Sequence, residues 1–262
     1  MDLATVLGNS GIAIGVAMLA LWLLSLRLRD ASIVDPFWGA GFVLVAWLSF
    51  WGSAGDPARR ALALALVTVW GLRLSIHLLA RNLGHGEDPR YRAMRAAHGG
   101  RFWLVSLGTV FGLQGLLMWV ISLPVQVAVA SPAPRGLGWL DAAGAALWAV
   151  GFLFEAVGDW QLRRFRADPR NRGRVLETGL WRYTRHPNYF GDAVQWWGLG
   201  CLGLATGAAW TLVSPVVMTF LLLKVSGVAL LEKDIAERRP EYRRYVERTS
   251  AFVPWFPREA GR

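Results

Sequence analysis

Apolar residues run in blocks long enough to cross a bilayer, and polar residues are mostly confined to the gaps between blocks. A membrane helix needs about 20 mainly apolar residues. On that measure the sequence predicts seven spans, over residues 11–28, 37–51, 61–80, 103–130, 139–158, 191–210 and 211–231. The last two have almost no loop between them. Some 40 residues is too long for one crossing, so the pattern is read as two spans. The predicted fold class is all-α: a polytopic membrane protein, one seven-transmembrane-helix bundle over residues 1–262. No internal repeat breaks the pattern.

Composition narrows the class. The 262 residues are 54% hydrophobic and 18% charged, with a mean hydropathy of +0.35. That is too apolar for a disordered chain. Cys201 is the single cysteine, so no internal disulfide can form. A formal charge of +10 would by itself fit a nucleic-acid binder, but fifteen tryptophans and long apolar blocks fit basic loops and interfacial aromatics instead. Nucleic acid is therefore not expected as a partner.

The basic residues also give a topology. With the N-terminus outside, 23 of the 28 Lys and Arg fall in inside segments: the loops after spans one, three and five, and the C-terminal tail. Only Arg59, Arg60 and Arg135 fall outside, while Arg73 and Lys224 lie within spans. This is the positive-inside pattern, with a cytoplasmic C-terminus. The first span lacks a basic leader, so it is expected to be retained. The four histidines lack metal-ligand spacing, and no metal is expected.

Ionisable residues within spans are costly and mark candidate sites. Glu155 and Asp159 are four apart on one helix face, and Arg163 continues it. They read either as a capping ladder or as the wall of a polar cavity. Asn188, Asp192 and Trp196 repeat the spacing, and such a stripe would be costly facing lipid. Lys224, deep in the last span, calls for a buried partner, and Glu232 lies two turns on. Asp35 precedes Pro36 where span two begins. It reads either as the helix N-cap or as a carboxyl group in a low-dielectric site. Arg73 and His77, four apart, either face it or satisfy each other. The Arg-rich stretch from 163 to 185 suits anionic lipid or a polyanionic cofactor. There is no G-x-G-x-x-G after a strand and no P-loop, so a nucleotide would be held by the bundle and its loops.

The stretch Glu177-Thr178-Gly179-Leu180-Trp181-Arg182-Tyr183-Thr184-Arg185-His186-Pro187-Asn188-Tyr189-Phe190-Gly191-Asp192 resembles the signature of steroid 5-alpha-reductases and their bacterial relatives. Leu231-Glu232-Lys233, Arg239 to Tyr245 and Val253-Pro254-Trp255 are similar to that family's end. Asp159 to Arg166 is similar to its segment before the cofactor loop, and Asp35 to Gly39 and Trp70 to Ser75 look like its bacterial branch. Isoprenylcysteine and phospholipid methyltransferases resemble the same C-terminal half, including Arg185-His186-Pro187, and use it for S-adenosylmethionine.

The reductase resemblance implies an NADPH-dependent oxidoreductase acting on a CH–CH group, transferring hydride to the C4–C5 double bond of a 3-oxo-4-ene steroid or similar lipophilic enone. It implies a cofactor-binding half over residues 150–262 that uses Asp159, Arg163, Arg166, Arg174, Tyr183, Arg185, His186, Asn188, Asp192, Trp196, Lys224, Glu232, Tyr242 and Tyr245. It implies a substrate and catalytic half over residues 32–102, with Asp35 catalytic and Phe37, Trp38, Trp70 and Arg73 in the pocket. The substrate would enter from the bilayer, whose lipid is the other partner. The setting would be a bacterial inner membrane, with the cofactor site facing the cytoplasm. Alternatives are an S-adenosylmethionine-dependent methyltransferase and a transporter or binding protein. Against transport, the polar residues cluster at span ends and no repeat is present.

The sequence departs from the family at several points. Asp192 stands for the usual Glu, Glu155 for Asn, Lys224 and Glu232 for Arg and Tyr, and Val228 for His. Asp35 follows Val34 rather than Gln, and no Tyr stands near Trp70, which leaves the donor to the substrate carbonyl unassigned.

Overall fold

The structure, a computed structural model, describes residues 2–225, 228 and 240–258. Among the described residues there is no strand, only an isolated bridge between Thr184 and Ser250. The helices are α1 (Leu3–Leu28), α2 (Val34–Gly52), α3 (Pro57–Asn82), α4 (Pro89–Ile121), α5 (Leu123–Ala130), α6 (Trp139–Ala167), α7 (Pro187–Ala205), α8 (Ala209–Val225) and α9 (Pro240–Arg248).

Helix starts follow a common local rule. Asp2, Asp56 and Asp88 accept backbone N–H bonds from the first turns of α1, α3 and α4. Pro57 and Pro89 fill the first helical position, where no N–H is needed. Helix α1 stops at Arg29, which adopts a left-handed φ of 55° and returns its N–H to Ser25.

Among the described residues, five helices are long and apolar enough to cross a membrane: α1, α2 with its preceding turn, α3, α4 and α6. Many of their apolar side chains point outward, among them Ile12, Val16, Leu23, Ile76, Leu116 and Leu153. Water would penalise such faces, whereas lipid accepts them. The chain is thus an integral membrane protein. Of the other two expected spans, α7 is helical over 19 residues but carries Asn188, Asp192 and Gln195. Helix α8 is 17 residues over its described part. Helix α4 begins at Pro89, well before the expected residue 103, and includes a π-helical turn over Leu107–Gly112. Ser122 separates it from α5, which contains Pro124.

The chain divides into two compact units, Met1–Asp141 with Cys201–Ser214, and Ala142–Gly200 with Pro215–Arg262. In the first unit, α2 and α3 approach closely because Gly39 and Gly71 meet there; a Cβ on either would press on the other's carbonyl oxygen. Around that contact pack Phe42, Val45, Val67 and Trp70. Arg59, which the charge pattern assigns to an outside segment, is fully buried. Its Nε donates to Asp141 Oδ1 at 2.8 Å, and its other nitrogens reach Asp141 Oδ2 and the carbonyls of Pro134 and Gly136. With four of its five N–H donors used and Asp141 against it, the buried charge is paired and hydrogen-bonded.

In the second unit, glycines again set the packing. A Cβ at Gly191 of α7 would fall on the backbone of Gly151 and Glu155 in α6, and one at Gly198 on Gly144 and Trp148. These contacts bring the backbones of α6 and α7 together and turn the polar stripe of one onto the other.

Candidate functional site

In the first unit, Asp35 lies in the first turn of α2 but does not cap it. Ile33 holds the N-cap position without a side-chain bond, and Asp30 caps the short turn before it. The capping reading of Asp35 is therefore overturned. The intervening 3-10 turn, Ala31–Ile33, moves the helix start so that the Asp35 side chain is free to leave the helix axis. It accepts from Tyr91 Oη at 2.8 Å through Oδ1 and from Arg90 Nη2 at 3.0 Å through Oδ2. Asp88 holds Arg90 at 2.9 Å, and Gln114 Nε2 donates to Tyr91 Oη at 3.3 Å.

A second acid fastens this end of the unit. Glu87 accepts from Arg95 at 2.7 and 3.0 Å and from the Ala31 N–H at 2.8 Å. Burial opposes ionisation of Glu87, but the Arg95 and Ala31 bonds outweigh it and hold its carboxyl below the usual range. Asp88 is lowered in the same way: burial raises it, and the bonds from the Arg90 side chain and N–H overcome that.

The expected substrate residues sit nearby in sequence. Trp38 meets Phe42 edge-on at 5.3 Å, and Phe42 meets Trp70 at 5.5 Å. Trp70 is 1% exposed and is part of the packed core. Phe37 and Arg73 are half-buried. The apolar cavity of this unit, about 540 Å³, lies between α1 and α4 and is lined by Ile14, Met18, Phe111, Gly115 and Trp119 among others. Phe37, Trp38, Trp70 and Arg73 do not line it. Gln114, one residue from Gly115, links its wall in sequence to Tyr91.

In the second unit, Glu155 and Asp159 share one face of α6 as expected, and both are buried, at 4% and 7% exposure. Asn188 Nδ2 donates to Asp159 Oδ1 at 3.0 Å, and Gln195 Nε2 donates to Glu155 Oε2. Each amide thus spends N–H groups on a carboxylate. The carbonyl oxygens Asn188 Oδ1 and Gln195 Oε1 are buried with no hydrogen-bond partner among the described residues. Buried acceptors of this kind are rare and suit an N–H donor from a bound group. Asp192 is half-buried and Trp196 fully buried on the same helix.

The remaining expected cofactor residues divide by role. Arg185 donates its backbone N–H to Ser250 and its Nη1 to the carbonyls of Val246 and Thr249. Tyr245 Oη donates to the Trp181 carbonyl, Tyr242 packs edge-on against Tyr245, and His186 stacks on Tyr189. These side chains knit residues 181–186 to the segment around α9. Tyr183 is partly exposed beside Phe256. Arg163, Arg166 and Arg174 are exposed. Lys224 is exposed too, rather than buried as its depth in the sequence block implied; it sits in a π-helical turn at Leu221–Val225. Glu232 lies outside the described residues.

Sequence reasoning missed Tyr91, Arg90, Gln114 and Gln195. Tyr91 is one of five tyrosines and follows the Asp88-Pro89 helix start, the one local signal in the sequence that marks its position.

Fold and site together define an all-helical integral membrane protein with a buried Gln195–Glu155 pair and part-buried Asn188–Asp159 and Tyr91–Asp35 pairs. The chain belongs to a family described as a protein of unknown function, DUF1295, whose profile matches residues 21–249. It is 25% identical over 269 residues to an uncharacterized protein of Schizosaccharomyces pombe, covering 89% of this chain and 75% of the yeast protein. Shorter stretches are similar to 3-oxo-5-alpha-steroid 4-dehydrogenase 1 of mouse, at 33% over 79 residues, and of cattle, at 36% over 55 residues. Those stretches span 29% and 21% of the two mammalian enzymes, and 30% and 21% of this chain. No solved structure matches.

Proposed function

We propose that the protein is a membrane reductase that uses NADPH to reduce the C4–C5 double bond of a 3-oxo-4-ene steroid or a similar lipophilic enone. The observation that carries this reading is the Asp35–Tyr91 hydrogen bond, and the similarity to 3-oxo-5-alpha-steroid 4-dehydrogenase 1 supports it. Reducing the β-carbon of an enone builds negative charge on the distant carbonyl oxygen. A fixed O–H donor in a dry site stabilises that charge far more than water does. Tyr91 is the donor in this reading. Its single proton bonds either Asp35 or the substrate, so Asp35 takes up a proton from water and donates back to Tyr91 Oη as the Tyr91 hydroxyl turns to the carbonyl. The enolate left by hydride addition then takes a proton from water at its α-carbon to give the saturated ketone. Gln114 donates to the same phenol oxygen and eases the charge it acquires.

The second unit fits a dinucleotide. NADPH, when bound, supplies the hydride. Asn188 Oδ1, buried and without a hydrogen-bond partner among the described residues, fits the N–H of a carboxamide, and Asp159 fixes the Asn188 side chain in that sense. Asp192 and Trp196 would line the same wall. Arg163, Arg166 and Arg174 would take the phosphates. Arg185, His186, Tyr242 and Tyr245 would hold the wall's frame, with Tyr183, Lys224 and Glu232 as further contacts. In this reading the bundle has seven spans with the cofactor side in the cytoplasm. Thermal unfolding of the purified protein tests the cofactor: NADPH should raise the midpoint and S-adenosylmethionine should not. The reverse pattern would replace reduction with methyl transfer.

A further inference from the structure

The most exposed aromatics of the second unit stand on the last described stretch. Trp255 is 71% exposed and Phe256 77%, and Val253 is exposed beside them. A short segment outside regular helices ordinarily frays. Here the backbone is tied down. Thr184 Oγ1 donates to the Phe252 carbonyl at 2.8 Å, the Trp255 N–H to the Tyr183 carbonyl at 2.9 Å, and the Arg258 N–H to the Arg248 carbonyl at 2.9 Å. The Tyr183 ring meets Phe256 edge-on at 6.1 Å. The segment is therefore a fixed hook that presents its two largest apolar side chains outward.

Beside the hook lies a polar cavity of about 280 Å³, lined by Glu177, Thr178, Gly179, Arg182, Arg248, Thr249 and Pro257. Its lining carries two arginines against one glutamate. Neither Arg182 nor Arg248 makes an ion pair among the described residues. The Trp181 Nε1 bond to the Gly158 carbonyl, 3.1 Å, ties this region to the end of α6, where exposed Trp160 carries Arg164 over its ring. Paired Trp and Arg are characteristic of a membrane–water interface.

We propose that residues 253–257 are a membrane-surface anchor: Trp255 and Phe256 sit at the headgroup–acyl boundary, and the cavity of Arg182 and Arg248 grips the phosphate of an anionic phospholipid headgroup. Amphipathic contact and charge act together in such anchors. The proposal does not depend on the reductase reading.

The test uses the full chain in nanodiscs, with Phe256→Cys in a Cys201→Ser background and an environment-sensitive fluorophore on residue 256. The anchor predicts loss of iodide quenching and gain of quenching by lipids spin-labelled near the headgroup, stronger in phosphatidylglycerol than in phosphatidylcholine. Arg182→Gln with Arg248→Gln should abolish the lipid difference. A label open to iodide and untouched by spin-labelled lipid would overturn the proposal. So would iodide protection without lipid quenching, which would mean a protein partner. Equal quenching in both lipids, or the same change produced by inorganic phosphate in phosphatidylcholine discs, would overturn the headgroup assignment.

Discussion

At the residue scale, Tyr91 and Asn188 carry opposite halves of the proposed chemistry, and their variants should separate. Tyr91→Phe keeps the ring and removes the O–H. Turnover should fall roughly 100-fold, the usual consequence of losing one oxyanion donor, with the NADPH dissociation constant unchanged. Asn188→Ala removes the buried acceptor and should raise that constant about tenfold, the equivalent of one hydrogen bond of about 1.4 kcal/mol. Equilibrium binding and initial rates on both variants check the pair. An equal effect of both variants on binding would remove the division of labour. Asp35 was legible in the sequence because a carboxylate before proline at a span edge is conspicuous. Its role was not legible, because the Asp35–Tyr91 contact joins positions 56 residues apart. It depends on a 3-10 turn and on a loop that brings Arg90 and Tyr91 to α2, which hydrophobic periodicity does not encode.

At the element scale, close packing depends on glycine and on buried or shielded charge. Gly191→Val should force α6 and α7 apart, because its side chain would occupy the space of the Glu155 and Gly151 backbones. The melting temperature should fall, and the Gln195–Glu155 pairing should be lost with it. Arg59→Met leaves Asp141 buried without its partner and should cost about 3–5 kcal/mol. Detergent-solubilised unfolding measures both effects.

The Glu87 fastening gives a pH dependence with a definite sign. Its folded pKa is lowered, so its stabilisation is complete above the unfolded value, about 4.3, and is lost as pH falls through the lowered folded value. Stability should therefore decline below about pH 4, and Glu87→Gln should flatten that decline. The helix starts at Asp56-Pro57 and Asp88-Pro89 follow from local chemistry and can be read directly. The early start of α4 could not be read from hydropathy, because Arg90, Arg92, Arg95 and His98 keep that stretch out of an apolar window.

At the scale of the whole molecule, the apolar blocks and the outward apolar faces agree on an all-helical integral membrane protein. Among the described residues, five helices meet the length and hydropathy needed to cross. The sixth expected span is helical but polar for a functional reason in this account: Asn188 and Gln195 face the acids of α6. The arginine-rich loops point to a topology in the sequence, while the acid–amide pairing emerges only once α6 and α7 are packed. The central claim is hydride transfer to an enone. Purified protein in nanodiscs should be given a 3-oxo-4-ene steroid and NADPH carrying deuterium in the transferable C4 position, with products analysed by mass spectrometry. The account predicts a saturated 3-oxo product with one deuterium at C5, and far less of it from Tyr91→Phe. Unreacted substrate and intact NADPH across steroid and isoprenoid enones, or a methylated product formed with S-adenosylmethionine, would contradict it.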